Sequence, residues 1–226
     1  MSFKSAVITF PGSNCDRDAI TYLRDLTNNE VLNIWHDETS IPSVDLIILP
    51  GGFSFGDYLR SGAMASKSKI IPEVIKHANS GRFLLGICNG FQILSEIGLL
   101  RGALIQNNKL KFLGKDCFVR KKYENKFNKL IKKDQVLQIP VAHNEGNFYC
   151  SNDDLNYLND GELIAFEYCM GSFSNTDANI NGSINNIAGI TNEGKNVLGM
   201  MPHPERAYQN FHNSMDGKLI IESLIS

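Results

Sequence analysis

The segment Gly86-Ile87-Cys88-Asn89-Gly90 sets a thiol between two glycines in the form Gly-x-nucleophile-x-Gly. This is the strand-to-helix elbow that holds a nucleophile above a sheet. The flanking glycines let the backbone bend sharply and let neighbouring segments approach. A thiol at such a place also meets a helix N-terminus, whose dipole favours the thiolate. Alone, the pattern describes a buried cysteine in a tight turn equally well. A second pattern, His203-Pro204-Glu205, follows an apolar run near the C-terminus. Pro204 biases His203 toward extended backbone, in which residues two apart share a side. Glu205 is therefore expected to orient one ring nitrogen of His203 while the other faces Cys88. Taken singly, His-Pro-Glu is an ordinary surface turn. In the order Cys, then His-x-Glu, the residues have the types of nucleophile, base and orienting carboxylate. Attack on an amide carbonyl also needs donors for the developing oxyanion. The candidates are the backbone N–H of Asn89 and that of Gly52 or Phe53, after Pro50-Gly51-Gly52, although Pro-Gly-Gly also serves as a plain turn.

Such groups work only if regular elements hold them. Ala6 to Phe10 reads as a strand ended by Pro11-Gly12, and Asp16 to Leu26 has helical spacing. Val31 to Trp35 is a second strand. Asp45 to Leu49 is a nearly continuous apolar run, as for a strand buried on both faces. A helix is expected from Ile71 to Asn79, with Gly81 supplying a left-handed cap. Arg82 to Ile87 gives another buried strand, and Asn89 to Glu96 the helix behind the elbow. This rhythm predicts an α/β fold with a doubly wound, mainly parallel central sheet flanked by helices. Its ligands should collect at the carboxyl ends of the strands, where Pro11-Gly12, Pro50-Gly51-Gly52 and Cys88-Asn89-Gly90 would lie.

The C-terminal half reads as an additional antiparallel part. Its strands are expected over Asp116 to Val119, Val136 to Val141, Leu163 to Tyr168, Asn186 to Ile190 and Val197 to Met201. A helix from Asp216 to Leu224 closes the chain. Arg120 to Asp134, rich in Lys, and Ser172 to Ser183, rich in Asn and Ser, read as surface segments. No repeat or linker divides the chain, so residues 1–226 are expected to form a single domain.

Composition narrows the partners. The formal net charge of -2 gives no reason to expect nucleic acid or an anionic membrane. No apolar run reaches the length of a bilayer span, and the N-terminus lacks a signal-peptide core, so a cytoplasmic location is expected. Cys15, Cys88, Cys117, Cys150 and Cys169 are scattered and odd in number, without a Cys-x-x-Cys pair. Neither a disulfide framework nor a metal site is expected from them.

Five stretches carry a resemblance: Pro11 to Asp16, Pro50 to Arg60, Gly86 to Leu94, Ala142 to Phe148 and Met201 to Ala207. Together they resemble the class I (triad) glutamine amidotransferases. Within these, they look like the glutaminase subunits of phosphoribosylformylglycinamidine synthases, over nearly the whole chain. The elbow and His-x-Glu are shared across the superfamily. Asn89, Phe53 to Tyr58 and His143 to Phe148 discriminate the branch.

The resemblance implies that glutamine is hydrolysed to glutamate. Its ammonia would serve the conversion of formylglycinamide ribonucleotide to formylglycinamidine ribonucleotide in purine synthesis. It implies Cys88 as nucleophile, His203 as proton shuttle, Glu205 as its orienter, and Gly52 and Asn89 as the oxyanion hole. It also implies that Gln92, His143, Asn144 and Glu145 line the glutamine pocket. Without the resemblance, Gln92 would equally be a polar residue of a first helical turn, and His143 and Glu145 part of a capped loop. Asp57 and Arg60 would fit either the pocket or a partner-facing surface, and the sequence leaves the two undecided. No Gly-x-x-x-x-Gly-Lys-Ser/Thr loop occurs, so no cofactor is expected in this chain. ATP and Mg²⁺ are expected on a separate large synthetase subunit (PurL), joined by a small accessory subunit (PurS). Ser172 to Ile180, with Phe173, Asn175 and Asp177, is less typical of the family and would bear on partner contacts. The rival readings are a stand-alone γ-glutamyl hydrolase or cysteine peptidase, and a non-catalytic subunit that kept the fold.

Overall fold

Most of the predicted strands join one nine-stranded sheet in a computed structural model, which describes residues 3–171 and 178–226. The chain opens with β1 (Ser5–Thr9), α1 (Asp16–Thr27), β2 (Val31–Trp35) and β3 (Leu46–Leu49). It continues through α2 (Ile71–Asn79), β4 (Phe83–Ile87) and α3 (Asn89–Glu96). Next come β5 (Ala103–Ile105), β6 (Leu113–Lys121), β7 (Val136–His143), β8 (Asn147–Tyr149) and α4 (Asn152–Asp160). The last elements are β9 (Ile164–Tyr168), β10 (Ile187–Thr191), β11 (Val197–Met200) and α5 (Lys218–Ile225).

The order across the sheet is β2-β1-β3-β4-β11-β10-β9-β6-β7. The strands from β2 to β11 in that order run parallel, and β10, β9, β6 and β7 extend the sheet antiparallel. The two predicted halves thus share one sheet, seamed where β11 returns beside β4. Burial explains the division. Every residue of β3 and β11 is buried, and β4 nearly so, as parallel strands covered on both faces must be. By contrast, β7 alternates buried and partly exposed positions, the period-two pattern of a sheet with one wetter face.

The sheet order reverses between β1 and β3, because the chain passes from β1 outward to β2 and returns on the other side. Crevices form at such reversals, at the carboxyl edge. The loops after β1 and β3 interlock there: Phe53 N–H donates to Gly12 O at 3.0 Å and Cys15 N–H to Gly51 O at 3.3 Å.

Three elements escaped the sequence reading. Strands β5 and β8 have three residues each and pair only with one another. Helix α4 buries Leu158 alone, so it lacks an apolar stripe; its one signal is the Ser151 cap, whose Oγ accepts from Asp154 N–H. Two segments read as surface are in part anchors. Phe127 and Ile131 are buried within the Lys-rich stretch, and Asn128 Nδ2 donates to Tyr123 O and Ala165 O. The lysines flanking them masked an apolar pair four residues apart. Of Ser172 to Ser183, residues 172–177, including Phe173, Asn175 and Asp177, lie outside the described residues. In the remainder, Asn181 and Ser183 are buried. Asn181 Nδ2 donates to Gly146 O at 2.7 Å, and Ser183 Oγ accepts from Phe148 N–H at 3.0 Å. Short amide and hydroxyl side chains are buried there because they satisfy backbone groups that strand pairing leaves over. Among the described residues, no helix is long and apolar enough to cross a membrane.

Candidate active site

Cys88 sits at φ 51°, ψ -104°, between β4 and α3. A non-glycine residue in this region is strained and persists only when its surroundings hold it. They do so from both sides. Cys88 N–H donates to Met200 O at 2.8 Å, extending the β4–β11 ladder into the bend. Beyond it, Gly90 lies so close to β3 that a Cβ there would come within 2.0 Å of Leu49 O. The second glycine of the elbow is thus required by contact with the neighbouring strand.

His203 reaches the same point from the end of β11. Its N–H donates to Pro140 O at 2.8 Å, which fastens it to β7. The expected extended segment is only one residue long: His203 has φ -101°, ψ 86°, and Pro204–Arg206 form a 3-10 turn. The side chains still meet, because the turn folds Glu205 back beneath the ring. His203 Nδ1 lies 2.7 Å from Glu205 Oε1, and both residues are buried. The other nitrogen, Nε2, is buried without a hydrogen bond. Burial alone would depress the pKa of this ring. The Glu205 carboxylate, with a further contribution from Cys88 beside it, instead holds it well above the ordinary histidine value. The structure therefore brings Cys88, His203 and Glu205 together in the order of a triad.

Cys15 and Arg206, which the sequence reading passed over, support this group. A Cβ on Gly51 would fall 2.6 Å from His203 Cε1 and 3.2 Å from Cys15 Sγ, so only glycine lets the ring lie against the end of β3. Arg206 joins Cys15 Sγ at 3.2 Å and Asp18 at 2.9 Å, tying the His-x-Glu turn to α1. Cys15, His203 and Glu205 bring potential metal-ligand atoms within 4.8 Å of one another. Here, however, the ring nitrogen is engaged by Glu205 and a guanidinium sits against the thiol.

The oxyanion candidates separate. Phe53 N–H is spent on Gly12 O, which leaves Gly52 from that pair. Asn89 is the first residue of α3, where a helix has no internal acceptor for its N–H. The Asn89 side chain links the two regions. Its Oδ1 accepts from Ser54 N–H at 3.2 Å, and its Nδ2 donates to Gln92 Oε1 at 2.9 Å. Gln92 Nε2 continues the chain to Glu145 O at 2.7 Å. Gln92 thus lines the cavity and also braces it.

That cavity opens beside Cys88, between Gly52, Asp57, Ser61 and Gln92 and the run from Ala142 to Glu145. All four proposed pocket residues border it. Of the two undecided residues, Asp57 faces the cavity, whereas Arg60 turns to Glu96 with two contacts of 2.6 Å.

The end of β7 that carries His143, and the loop after it, are held by buried Asn107. Its Nδ2 donates to His143 O at 3.0 Å, and its Oδ1 takes Gly146 N–H and faces His143 Nδ1, both at 3.1 Å. That carbonyl needs a proton on Nδ1, so Nε2 is the unprotonated, unpartnered nitrogen. Burial, aided by the charge of His203, lowers the His143 pKa to about 4. The ring is therefore neutral in the folded protein at a pH where an unfolded chain begins to protonate it. Stability is expected to fall by about 2 kcal/mol between pH 6.5 and 5 on this account. Urea denaturation at several pH values tests this: His143→Gln should show a shallower acid loss, and an equal slope would exclude the neutral ring.

Residues 2–221 match the family of the CobB/CobQ-like glutamine amidotransferase domain. The chain is 48% identical over 225 residues to phosphoribosylformylglycinamidine synthase subunit PurQ of Pelagibacter ubique, covering 98% of each. It is 50% identical over 214 residues to that subunit from Synechocystis, covering 93% of this chain and 95% of the relative. Its structure is similar to a chain of Thermotoga maritima PurLQS, with a TM-score of 0.88 and 39% identity over 100% of this chain and 98% of the other. A glutamine amidotransferase from Thermotoga maritima shares the fold at 17% identity and a TM-score of 0.60, over 92% of this chain and 78% of the other. The chain belongs to the glutamine amidotransferase family, in the branch of the phosphoribosylformylglycinamidine synthase PurQ subunits.

Proposed function

We propose that the chain is the glutaminase subunit of a phosphoribosylformylglycinamidine synthase, with Cys88, His203 and Glu205 as its catalytic triad. The observation that carries the chemistry is the strained Cys88 beside a His203 ring held by Glu205 at 2.7 Å. Cys88 Sγ attacks the side-chain amide carbon of glutamine, and its proton passes to His203. The tetrahedral oxyanion is received by the N–H groups of Gly52 and Asn89. Collapse breaks the carbon–nitrogen bond, His203 returns the proton to the departing ammonia, and a γ-glutamyl thioester remains on Cys88. Water, deprotonated by His203, then releases glutamate and restores the thiol. Gln92, His143, Asn144 and Glu145 border the bound glutamine.

The relatives' shared name and the likeness to a chain of PurLQS support the destination of the ammonia over a stand-alone γ-glutamyl hydrolase. The partners are a large synthetase subunit, PurL, and a small one, PurS. ATP and Mg²⁺ act on the synthetase, this chain holds no cofactor, and the location is cytoplasmic.

The test is to assay the purified chain with and without both partner subunits. Low glutaminase activity alone, rising on assembly together with glutamine-dependent amidine formation, is the expected result. A complex that forms amidine from free ammonia but not from glutamine would overturn the assignment.

A further inference from the structure

The cavity beside Cys88 has an unbalanced charge. Asp57 and Glu145 both line it, and no Lys or Arg appears among the described residues that do. Asp57 Oδ1 is buried without a hydrogen-bond partner, a condition unfavourable for any buried acceptor and more so for a charged one. The loop nevertheless holds Asp57 there. Phe55 N–H donates to Pro11 O at 2.6 Å, Ser54 N–H to Asn89 Oδ1 and Gly56 N–H to Phe53 O at 2.8 Å. The chain passes through positive φ at Phe55, Gly56 and Asp57. Arg60, three residues further along the same segment, is occupied by Glu96. A carboxylate maintained in this way beside a nucleophile lacks a cationic partner that the protein itself does not supply.

Glutamine brings one. Its amide must reach Cys88, and its other end carries an α-ammonium. We propose that Asp57 receives the α-ammonium of glutamine and thereby makes the pocket select an α-amino acid over a simple amide. This deepens the glutaminase reading and rests on it. The electrostatics agree. Burial raises the Asp57 carboxyl pKa from its usual value, the Ser61 hydrogen bond opposes this, and the nearby Glu145 charge adds to the rise. A cation seated between the two carboxylates reverses both penalties.

The experiment uses the assembled complex and two small molecules. One is glutamine; the other is glutaramate, with the same carbon chain and amide but no α-amino group, used as a competitive inhibitor. For Asp57→Asn, the KM for glutamine is expected to rise about 10- to 100-fold, the range for a lost charge-assisted hydrogen bond. The Ki of glutaramate should change less than about threefold. Asp57→Glu, which keeps the charge, should recover part of the loss. Parallel shifts in KM and Ki would assign Asp57 a structural role and overturn the proposal, as would no shift in either. Failure of the underlying reading looks different: the wild-type complex would then not turn over glutamine at all.

Discussion

Cys88→Ala is expected to lower glutamine-dependent amidine synthesis on the order of 10⁴-fold or more while leaving synthesis from free ammonia intact. Removing a covalent nucleophile eliminates the thioester route, and what remains is the modest contribution of binding and oxyanion stabilisation. Alanine suits the test because the backbone is disturbed little. Both residues carry a Cβ, so the φ of 51° is as strained in the variant as in the parent. The N–H to Met200 O is untouched, and the thiol's own contact is a long one of 3.6 Å to Ala142 O. A glutamine-mimicking diazo ketone should label the parent at Cys88 and fail to label the variant. Labelling at Cys15, the other thiol beside His203, would transfer the nucleophile's role to that residue. If ammonia-dependent synthesis disappeared as well, the substitution would be acting through folding or assembly. Either result would sink the assignment.

What was legible beforehand, and what was not, follows from the range of the interactions. The parallel strands and the elbow announce themselves locally, in apolar runs closed by glycine, because burial on both faces and a sharp bend each leave a mark in adjacent residues. The pairing of His203 with Glu205 was legible as a spacing of two, although a 3-10 turn rather than an extended strand makes the contact. The supports of the site left no such mark. Asn107 holds His143 at the end of β7 across 36 residues, Arg206 reaches Cys15 across 191, and Asn181 holds Gly146 across 35. Each is a single polar residue, and only the folded chain shows which distant group it reaches. Asp57 was ambiguous for the same reason: a charged residue in a Gly-containing loop reads as exposed until the loop is seen bent over the cavity.

Glu205→Gln is the second substitution with a large expected effect, and it separates orientation from charge. The two side chains are nearly the same size, so the buried space beneath His203 stays filled. The change removes a negative charge 2.7 Å from Nδ1 and lets an NH₂ group face the ring in place of an acceptor. An NH₂ in that place favours the tautomer with its proton on Nε2, which cannot take one from the thiol. A fall in kcat for glutamine of about 10²- to 10⁴-fold is expected, again with ammonia-dependent synthesis unchanged. The pH profile should move with a definite sign. In the parent, burial acts to lower the His203 pKa, and Glu205, together with the neighbouring Cys88 and Cys15, more than offsets it. Without the carboxylate the largest raising contribution is gone while the lowering by burial stays. The imidazolium that must protonate departing ammonia is then lost at lower pH, so the basic limb of kcat shifts downward. Glu205→Asp keeps the charge but withdraws it by one methylene, so it should shift this limb less while still losing rate. A Glu205→Gln enzyme with its rate within about fivefold of the parent and its basic limb unmoved would reduce Glu205 to packing. It would also leave His203 without the partner that makes it a base.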